Sequence, residues 1–373
     1  MRKLNKTAAC GILAAALAAG TLSGCSKAID GTKTVATVGD EKVTLGLASY
    51  MVRDQQAQTM SYYNMLMSQY GVSGSASNVW DQKGDDGKTV GESSKDGVMT
   101  TINQLYVLKA HAADYDITIT DDEEKAIKEA AAEFIKDNDE KILKKLAVSE
   151  DDIVTYLELV TIRSKMHDPM TADVDTEVSA NEKDQTRVTI VKVSTEGTEK
   201  DDDGNTIDLT DEEKAQKKDL AQQVLDKVKA SDDVANADMD ALAKEVDDSL
   251  SATAPAFTTA GSTDDTLDEA VQDAALELKD GEVADNIIET DTGYYVVRLD
   301  KINDEDATAS KRESLQNSKE STYFTDTTAK WLDEADVKVV KKVIKTLKIT
   351  DKHTFMAPTP TPVPETPTPE VTE

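Results

Sequence analysis

The chain has 373 residues, with 73 acidic against 42 basic side chains and a formal net charge of −31. This charge argues against nucleic-acid binding, which needs clustered Lys and Arg, and against binding an anionic membrane through the protein's own charges. Three histidines and two cysteines exclude most His/Cys metal frameworks, and an aromatic content of 4% predicts small cores built from aliphatic side chains.

The first residues resemble a bacterial lipoprotein signal. A basic start is followed by an uncharged, mostly apolar stretch over 7–24, which closes in Leu-Ser-Gly-Cys at Cys25. The pattern predicts a cleaved signal over 1–24, a diacylglycerol lipid on Cys25 and a short tether over 25–33. An uncleaved membrane anchor is the alternative. Either reading places the remainder outside the cytoplasm, and the lipobox predicts the outer face of the cytoplasmic membrane.

The sequence pattern over 34–180 predicts a mostly helical domain that begins with a short β-element. A strand over 34–38 and a turn precede a helix whose apolar positions recur at helical spacing over 47–70. A Gly/Ser/Asp-rich loop is expected over 71–97, and a second helix over 97–114. Capping-box spacings predict two further helix starts, at Thr120 with Glu123 and at Ser149 with Asp152.

Residues 181–303 predict a compact α+β domain, and the fold class of the whole chain is therefore α+β. The predicted elements are a strand over 187–193, a helix that starts at Thr210 with Glu213, short helices over 239–246 and 267–278, and a strand over 293–299. Residues 304–350 predict a helix and a weak strand that pack on the N-terminal domain. The tail over 351–373 is Pro/Thr-rich and expected to be disordered. The acidic loop over 196–208 leaves weak Ca²⁺ binding open.

The α+β segment resembles a parvulin-type peptidyl-prolyl isomerase domain. The motifs that carry this likeness are Arg187-Val188-Thr189-Ile190-Val191, Met239-Asp240-Ala241-Leu242-Ala243-Lys244-Glu245, Leu278-Lys279-Asp280-Gly281-Glu282-Val283 and Thr292-Gly293-Tyr294-Tyr295-Val296-Val297-Arg298. With the lipobox, the helical N-terminal domain and the closing helix, the layout is similar to that of PrsA-type foldase lipoproteins, and the periplasmic chaperone SurA shares the general plan.

The resemblance implies a pocket for a prolyl ring and no metal or cofactor. Its residues here would be Thr189, Asp248, Leu267, Val271, Leu276 and Tyr295. This chain departs from the family where Thr189 and Tyr295 replace two histidines, and where Ala-Pro-Ala-Phe over 254–257 replaces a glycine-rich turn. Catalysis of X–Pro isomerisation is therefore left open.

Methionines and tyrosines cluster on the first long helix. Met51, Met60, Tyr63 and Met67 are candidates for contact with unfolded clients, because methionine adapts to varied apolar partners. A methionine-rich core is the alternative interpretation. The function predicted from the resemblance is that of a membrane-anchored foldase or chaperone for newly secreted polypeptides. The alternative is a non-catalytic lipoprotein that binds one dedicated envelope partner.

Overall fold

The structure is a computed structural model that divides into two compact units. The first combines Met1–Asp173 with Tyr323–Glu373, and the second is Val174–Thr322. The residues that it describes are 29–69, 79–197, 206–260 and 267–349. The predicted signal segment, Cys25, the centre of the acidic loop and the Pro/Thr-rich tail lie outside the described residues.

The helices and strands are numbered in chain order. The chain begins with β1 (Thr34–Val38), β2 (Glu41–Thr44), α1 (Leu45–Gln69), α2 (Val90–His111), α3 (Asp121–Asp137), α4 (Glu140–Leu146) and α5 (Glu150–Thr171). The second unit holds α6 (Ala180–Lys183), β3 (Gln185–Ser194), α7 (Asp211–Lys229), α8 (Met239–Lys244), β4 (Ala252–Thr253), β5 (Ala256–Thr258), α9 (Glu269–Leu276), β6 (Ile288–Thr290) and β7 (Gly293–Lys301). The chain closes with α10 (Glu305–Glu334), β8 (Val337–Val339) and α11 (Lys341–Ile344). The prediction of an α+β fold is confirmed.

Side-chain capping defines most helix starts. Thr120, Ser149 and Thr210 each accept a hydrogen bond from the backbone amide three residues later, and the carboxylate of that later residue accepts one from the backbone amide of the cap residue. These three predicted starts are confirmed. The long loop predicted over 71–97 is wrong in its second half, because Thr89 and Glu92 form another capping box and α2 begins at Val90.

The first unit surrounds a small antiparallel sheet of order β2-β1-β8. Residues far apart in sequence meet there, since Ala36 pairs with Val339 and the amide of Val340 donates to the carbonyl of Val35 at 2.7 Å. The largest core of this unit includes fully buried residues from β1, β2, α1, α2 and α5 and residues near the C-terminal end: Val35, Val43, Leu47, Ile102, Leu159 and Leu347. β1 and the C-terminal segment therefore share one core.

A second core forms where α1 crosses α3 and α5. Tyr50 of α1 is fully buried, and its ring lies edge-on to Phe134 at 5.7 Å and to Tyr156 at 4.9 Å between centroids. Such edge-to-face pairs add to the free energy of burial. Burial raises the pKa of the Tyr50 hydroxyl well above its usual range, and raises that of Tyr156 to about 12.

The second unit is an antiparallel sheet covered on both faces. Strands follow the order β4-β3-β7-β6, and β5 pairs with the first residues of β3. Helices α7 and α8 cover one face, where Val191, Val224 and Met239 share a core. Helix α9 covers the other, where Val271 packs with Phe257. Because successive strand residues point to opposite faces, each position on β3 and β7 belongs to one of these two cores.

Candidate functional site

Tyr295 lies on the face of the sheet that α9 covers. It is 5% exposed and packs in the same core as Val297, two residues further along β7, and as Ile190 of β3. In the register of the two strands Lys192 is opposite Tyr295, and the Lys192 ammonium lies 5.5 Å from the centroid of the Tyr295 ring. This distance allows a cation–π contact.

Thr189 lies on the opposite face of the sheet. It pairs with Arg298, and its Oγ1 donates to Asp300 Oδ2 at 2.6 Å while accepting from Arg298 Nη2 at 3.3 Å. The structure therefore does not bring Thr189 and Tyr295 together. A shift of one residue moves a side chain to the other face of a strand, and the β3 side chains that share the core of Tyr295 are Val188 and Ile190.

Three apolar residues of the candidate pocket do join Tyr295. Leu267, Val271 and Leu276 all belong to the core beneath α9. Val271 is fully buried, so it contributes to packing and offers no surface to a ligand. Leu267 and Leu276 are half-buried and keep exposed surface on either side of it. Among the described residues, Leu267 and Leu276 therefore offer apolar surface at this core, as do the partly buried Leu278 and Ile288.

Polar groups of the described residues also lie at this apolar surface. The Tyr295 hydroxyl lies 3.4 Å from Thr292 Oγ1, which donates to Asp268 Oδ2 at 3.3 Å. A twisted X–Pro amide is favoured over the conjugated one by polar groups aimed at its nitrogen or oxygen. The Lys192 ammonium also lies beside Tyr295, and the arrangement can hold an apolar side chain.

Asp248 is exposed and, within the described residues, forms no hydrogen bond or ion pair with the other pocket residues. It follows Asp247, whose Oδ1 accepts from the amide and the hydroxyl of Ser249 at 2.8 and 2.5 Å. These two hydrogen bonds lower the pKa of Asp247, the hydroxyl having the larger effect. The carboxylate that orders this turn is therefore Asp247, and Asp248 points to solvent.

Two residues of this face were not predicted as site residues, Ile190 and Phe257. Phe257 is fully buried and closes the Ala-Pro-Ala-Phe segment, where its strand β5 pairs with the start of β3. Its aromatic character within a segment of small residues was the signal available in the sequence. No such signal existed for Ile190, because apolar side chains occupy both faces of β3.

Two glycines in the segments that resemble the parvulin family, Gly281 and Gly293, are required by the local backbone geometry. Gly281 has a φ of +84°, a conformation that β-carbons disfavour, so the Gly-Glu-Val turn needs glycine there. At Gly293 a β-carbon would lie 2.6 Å from the carbonyl oxygen of Val193 on the neighbouring strand. Close approach of the two strands therefore requires glycine at the start of β7.

A buried ion pair supports the opposite face. Arg298 is 8% exposed and donates to Asp300 Oδ1 at 2.7 Å. Its Nη1 also donates to the carbonyls of Val234 and Ala237, at 3.1 and 2.8 Å. The guanidinium thus fastens the segment before α8 to the sheet, and Thr189 belongs to this structural network.

The candidate client-binding residues of α1 differ in how far they are buried. Met51 and Met60 are half-buried and pack against the main core of the first unit, whereas Tyr63 is exposed. The side chain of Met67 lies outside the described residues. Tyr62 and Met65 are also exposed, at 58% and 61%. The exposed apolar surface therefore lies over 62–65, and we name these three residues, Tyr62, Tyr63 and Met65, the α1 surface.

The described residues contain neither a candidate metal cluster nor a membrane-spanning helix. No group of three or more His, Cys, Asp or Glu side chains there is placed to hold a metal ion. Among the helices in the same ranges, none combines the length and the hydropathy needed to cross a bilayer.

Comparison with known proteins gives one family match. Residues 197–312 match the family described as "PPIC-type PPIASE domain", so this part of the chain is a parvulin-type domain. The match begins after β3, which ends at Ser194. No curated protein matches the chain.

Several solved structures are similar to the chain at low identity. The foldase PrsA of Lactococcus lactis is 15% identical, with 84% of this chain and 97% of that chain covered and a TM-score of 0.32. The peptidylprolyl isomerase PrsA of Bacillus cereus is 17% identical, with 73% and 98% covered and a TM-score of 0.30. A SurA-like chaperone of Campylobacter jejuni is 13% identical, with 69% and 98% covered and a TM-score of 0.18.

Proposed function

We propose that the protein is an extracytoplasmic folding factor that binds unfolded, newly secreted polypeptides and is held at the membrane by a lipid on Cys25. In this proposal the parvulin-type domain acts mainly as a binding surface for apolar segments and is a poor isomerase. The observation that carries the proposal is the environment of Tyr295, which shares a core with Ile190 and two half-buried leucines within a region that matches a prolyl isomerase family.

The location is supported by the sequence pattern that ends at Cys25. Two acyl chains on one cysteine suffice for stable anchoring, since each buried methylene contributes roughly 0.8 kcal/mol. The net charge of −31 suits a chaperone outside the cell, because like charge keeps complexes with unfolded chains soluble. Neither argument requires a metal, a cofactor or ATP.

The α1 surface provides a second contact for clients. A tyrosine pair and a methionine present flexible and aromatic apolar groups that fit varied partners. Tyr62 and Tyr63 lie edge-on to each other at 6.4 Å between centroids, so part of their apolar surface is already ordered. The half-buried Met51 and Met60 pack α1 against the core, so they contribute to the stability of the fold more than to client binding.

Replacing the α1 surface is expected to weaken protection of clients. The variant Tyr62→Ser/Tyr63→Ser/Met65→Ser removes three exposed apolar side chains, so we expect suppression of client aggregation to need roughly tenfold more protein, at about 0.5 kcal/mol or more lost per side chain. Light scattering of a denatured client, diluted without ATP into increasing concentrations of each variant, measures this. The control is Tyr323→Ser, which removes another exposed aromatic (46%) from α10.

The outcome separates the proposal from a dedicated-partner lipoprotein. Equal protection by the triple variant, the control and the unchanged chain would exclude the α1 surface as a client site. Absence of protection by the unchanged chain across several unrelated clients would contradict the chaperone proposal and favour one specific partner.

A further inference from the structure

An exposed basic surface stands out at the C-terminal end of the first unit. The sequence over 337–349 contains five lysines and no acidic residue, in a chain with 73 acidic and 42 basic residues. Each of these lysines is exposed. They are Lys338, Lys341, Lys342, Lys345 and Lys348, which we name the lysine surface.

Most of this charge is uncompensated. Lys338 pairs with Asp336 at 2.5 Å. Within the described part of the chain, Lys341, Lys342 and Lys345 form no ion pair. Of the apolar residues beside these lysines, Val343 and Ile344 pack on the core of the first unit. Val339 and Val340 are instead 41% and 40% exposed. The surface thus combines free ammonium groups with exposed aliphatic side chains, which is the composition of a surface that binds anionic bilayers.

The lysine surface lies close to the start of the described chain. β8 pairs with β1, and the amide of Val340, the residue before α11, donates to the carbonyl of Val35 at 2.7 Å. Ten residues separate Val35 from Cys25, a reach of at most about 35 Å when fully extended. Lys33, which is exposed, adds a further positive charge near this point.

We propose that the lysine surface binds the anionic phospholipid headgroups of the membrane to which the chain is anchored, and so orients the first unit on that membrane. This proposal rests on the lipid anchor at Cys25 proposed above. The exposed Asp333, Glu334 and Asp336 directly precede this surface in the sequence, so the free positive charge rests on Lys341, Lys342 and Lys345. Acidic residues more than about 8 Å away are largely screened at physiological salt. The net charge alone led to the opposite expectation, since it averages over a local cluster.

Binding of the unlipidated chain to vesicles tests the proposal. Residues 25–373 carrying Cys25→Ser are mixed with vesicles of phosphatidylcholine, with or without 30% phosphatidylglycerol, at 0.1 M salt, and the bound fraction is read after flotation. We expect binding only with phosphatidylglycerol. Lys341→Gln/Lys342→Gln/Lys345→Gln is expected to weaken it roughly a hundredfold, at about fivefold per lysine.

Two controls separate charge at this surface from charge in general. Replacing the same three lysines by arginine keeps the charge and should keep the binding. The distant variant Lys125→Gln/Lys128→Gln/Lys136→Gln removes three exposed lysines of α3 and should bind like the unchanged chain.

Three outcomes would overturn the proposal: no preference for phosphatidylglycerol, equal weakening by the two glutamine variants, or binding of soluble polyphosphate without binding of vesicles. The client assay above contains no lipid. Its failure would therefore contradict the proposed function and leave this result unaffected.

Discussion

Replacing Arg298 with leucine is expected to lower the free energy of unfolding of the second unit by about 3 kcal/mol. The guanidinium is almost fully buried and satisfies one carboxylate, one hydroxyl and two backbone carbonyls. Leucine would leave the carbonyls of Val234 and Ala237 without this donor and would remove the partner of Asp300. The side chain of Asp300 keeps 19% of its surface exposed, so water compensates part of the loss.

Lys301→Leu is the matched control for this prediction. Lys301 is on the same strand and pairs with Asp280 at 2.6 Å, but the two side chains are 57% and 36% exposed. An exposed pair contributes at most about 1 kcal/mol. Hydrogen exchange of the β3 and β7 amides in the full chain measures the stability of this unit directly. Equal losses for the two variants would show that Arg298 has no special structural role.

Alanine at two helical glycines is expected to change stability in opposite directions. A β-carbon at Gly46, in the first turn of α1, would lie 2.2 Å from Asp152 Oδ2 and 2.9 Å from the carbonyl oxygen of Ala147. Asp152 cannot easily move, because it accepts from the amide and hydroxyl of Ser149 at 2.8 and 2.7 Å and from the hydroxyl of Thr44. We expect Gly46→Ala to destabilise the first unit by about 3 kcal/mol, through overpacking and lost hydrogen bonds.

Gly97→Ala is expected to have the opposite effect to Gly46→Ala on the stability of the first unit. Nothing lies within 4 Å of the β-carbon that alanine would add in the middle of α2. Alanine there restricts the unfolded chain without strain and is expected to stabilise the unit by about 0.5–1 kcal/mol. Both tryptophans, Trp80 and Trp331, lie in the first unit, so urea unfolding followed by tryptophan fluorescence reads the effect. Changes of the same sign for the two variants would contradict the prediction.

Local sequence signals predicted the helices well because capping is a local interaction. Thr120, Ser149 and Thr210 each find their partner three residues away, and their helices begin where predicted. The start of α2 has the same signal at Thr89, but the surrounding glycines and aspartates favoured a loop. Pairing of Ala36 with Val339 joins residues about 300 positions apart, which no local pattern specifies.

The position of the first site residue could not be derived from the strand pattern. Both faces of the sheet are covered, so β3 carries apolar residues on each face and has no strict alternation to fix its register. The choice of Thr189 came from the resemblance, and the structure places this residue on the face opposite Tyr295. The positions around α9 were easier to place, because Leu267, Val271 and Leu276 have helical spacing and a single covered face.

Refolding of a client limited by proline isomerisation tests the central claim most directly, namely that the parvulin-type domain binds without efficient catalysis. Uncatalysed isomerisation takes tens to hundreds of seconds, so the slow phase is easily followed with and without the protein. We predict an unchanged rate and a higher yield of folded client. A rate that rises in proportion to protein concentration, and falls with Tyr295→Phe, would contradict this account and identify a working isomerase.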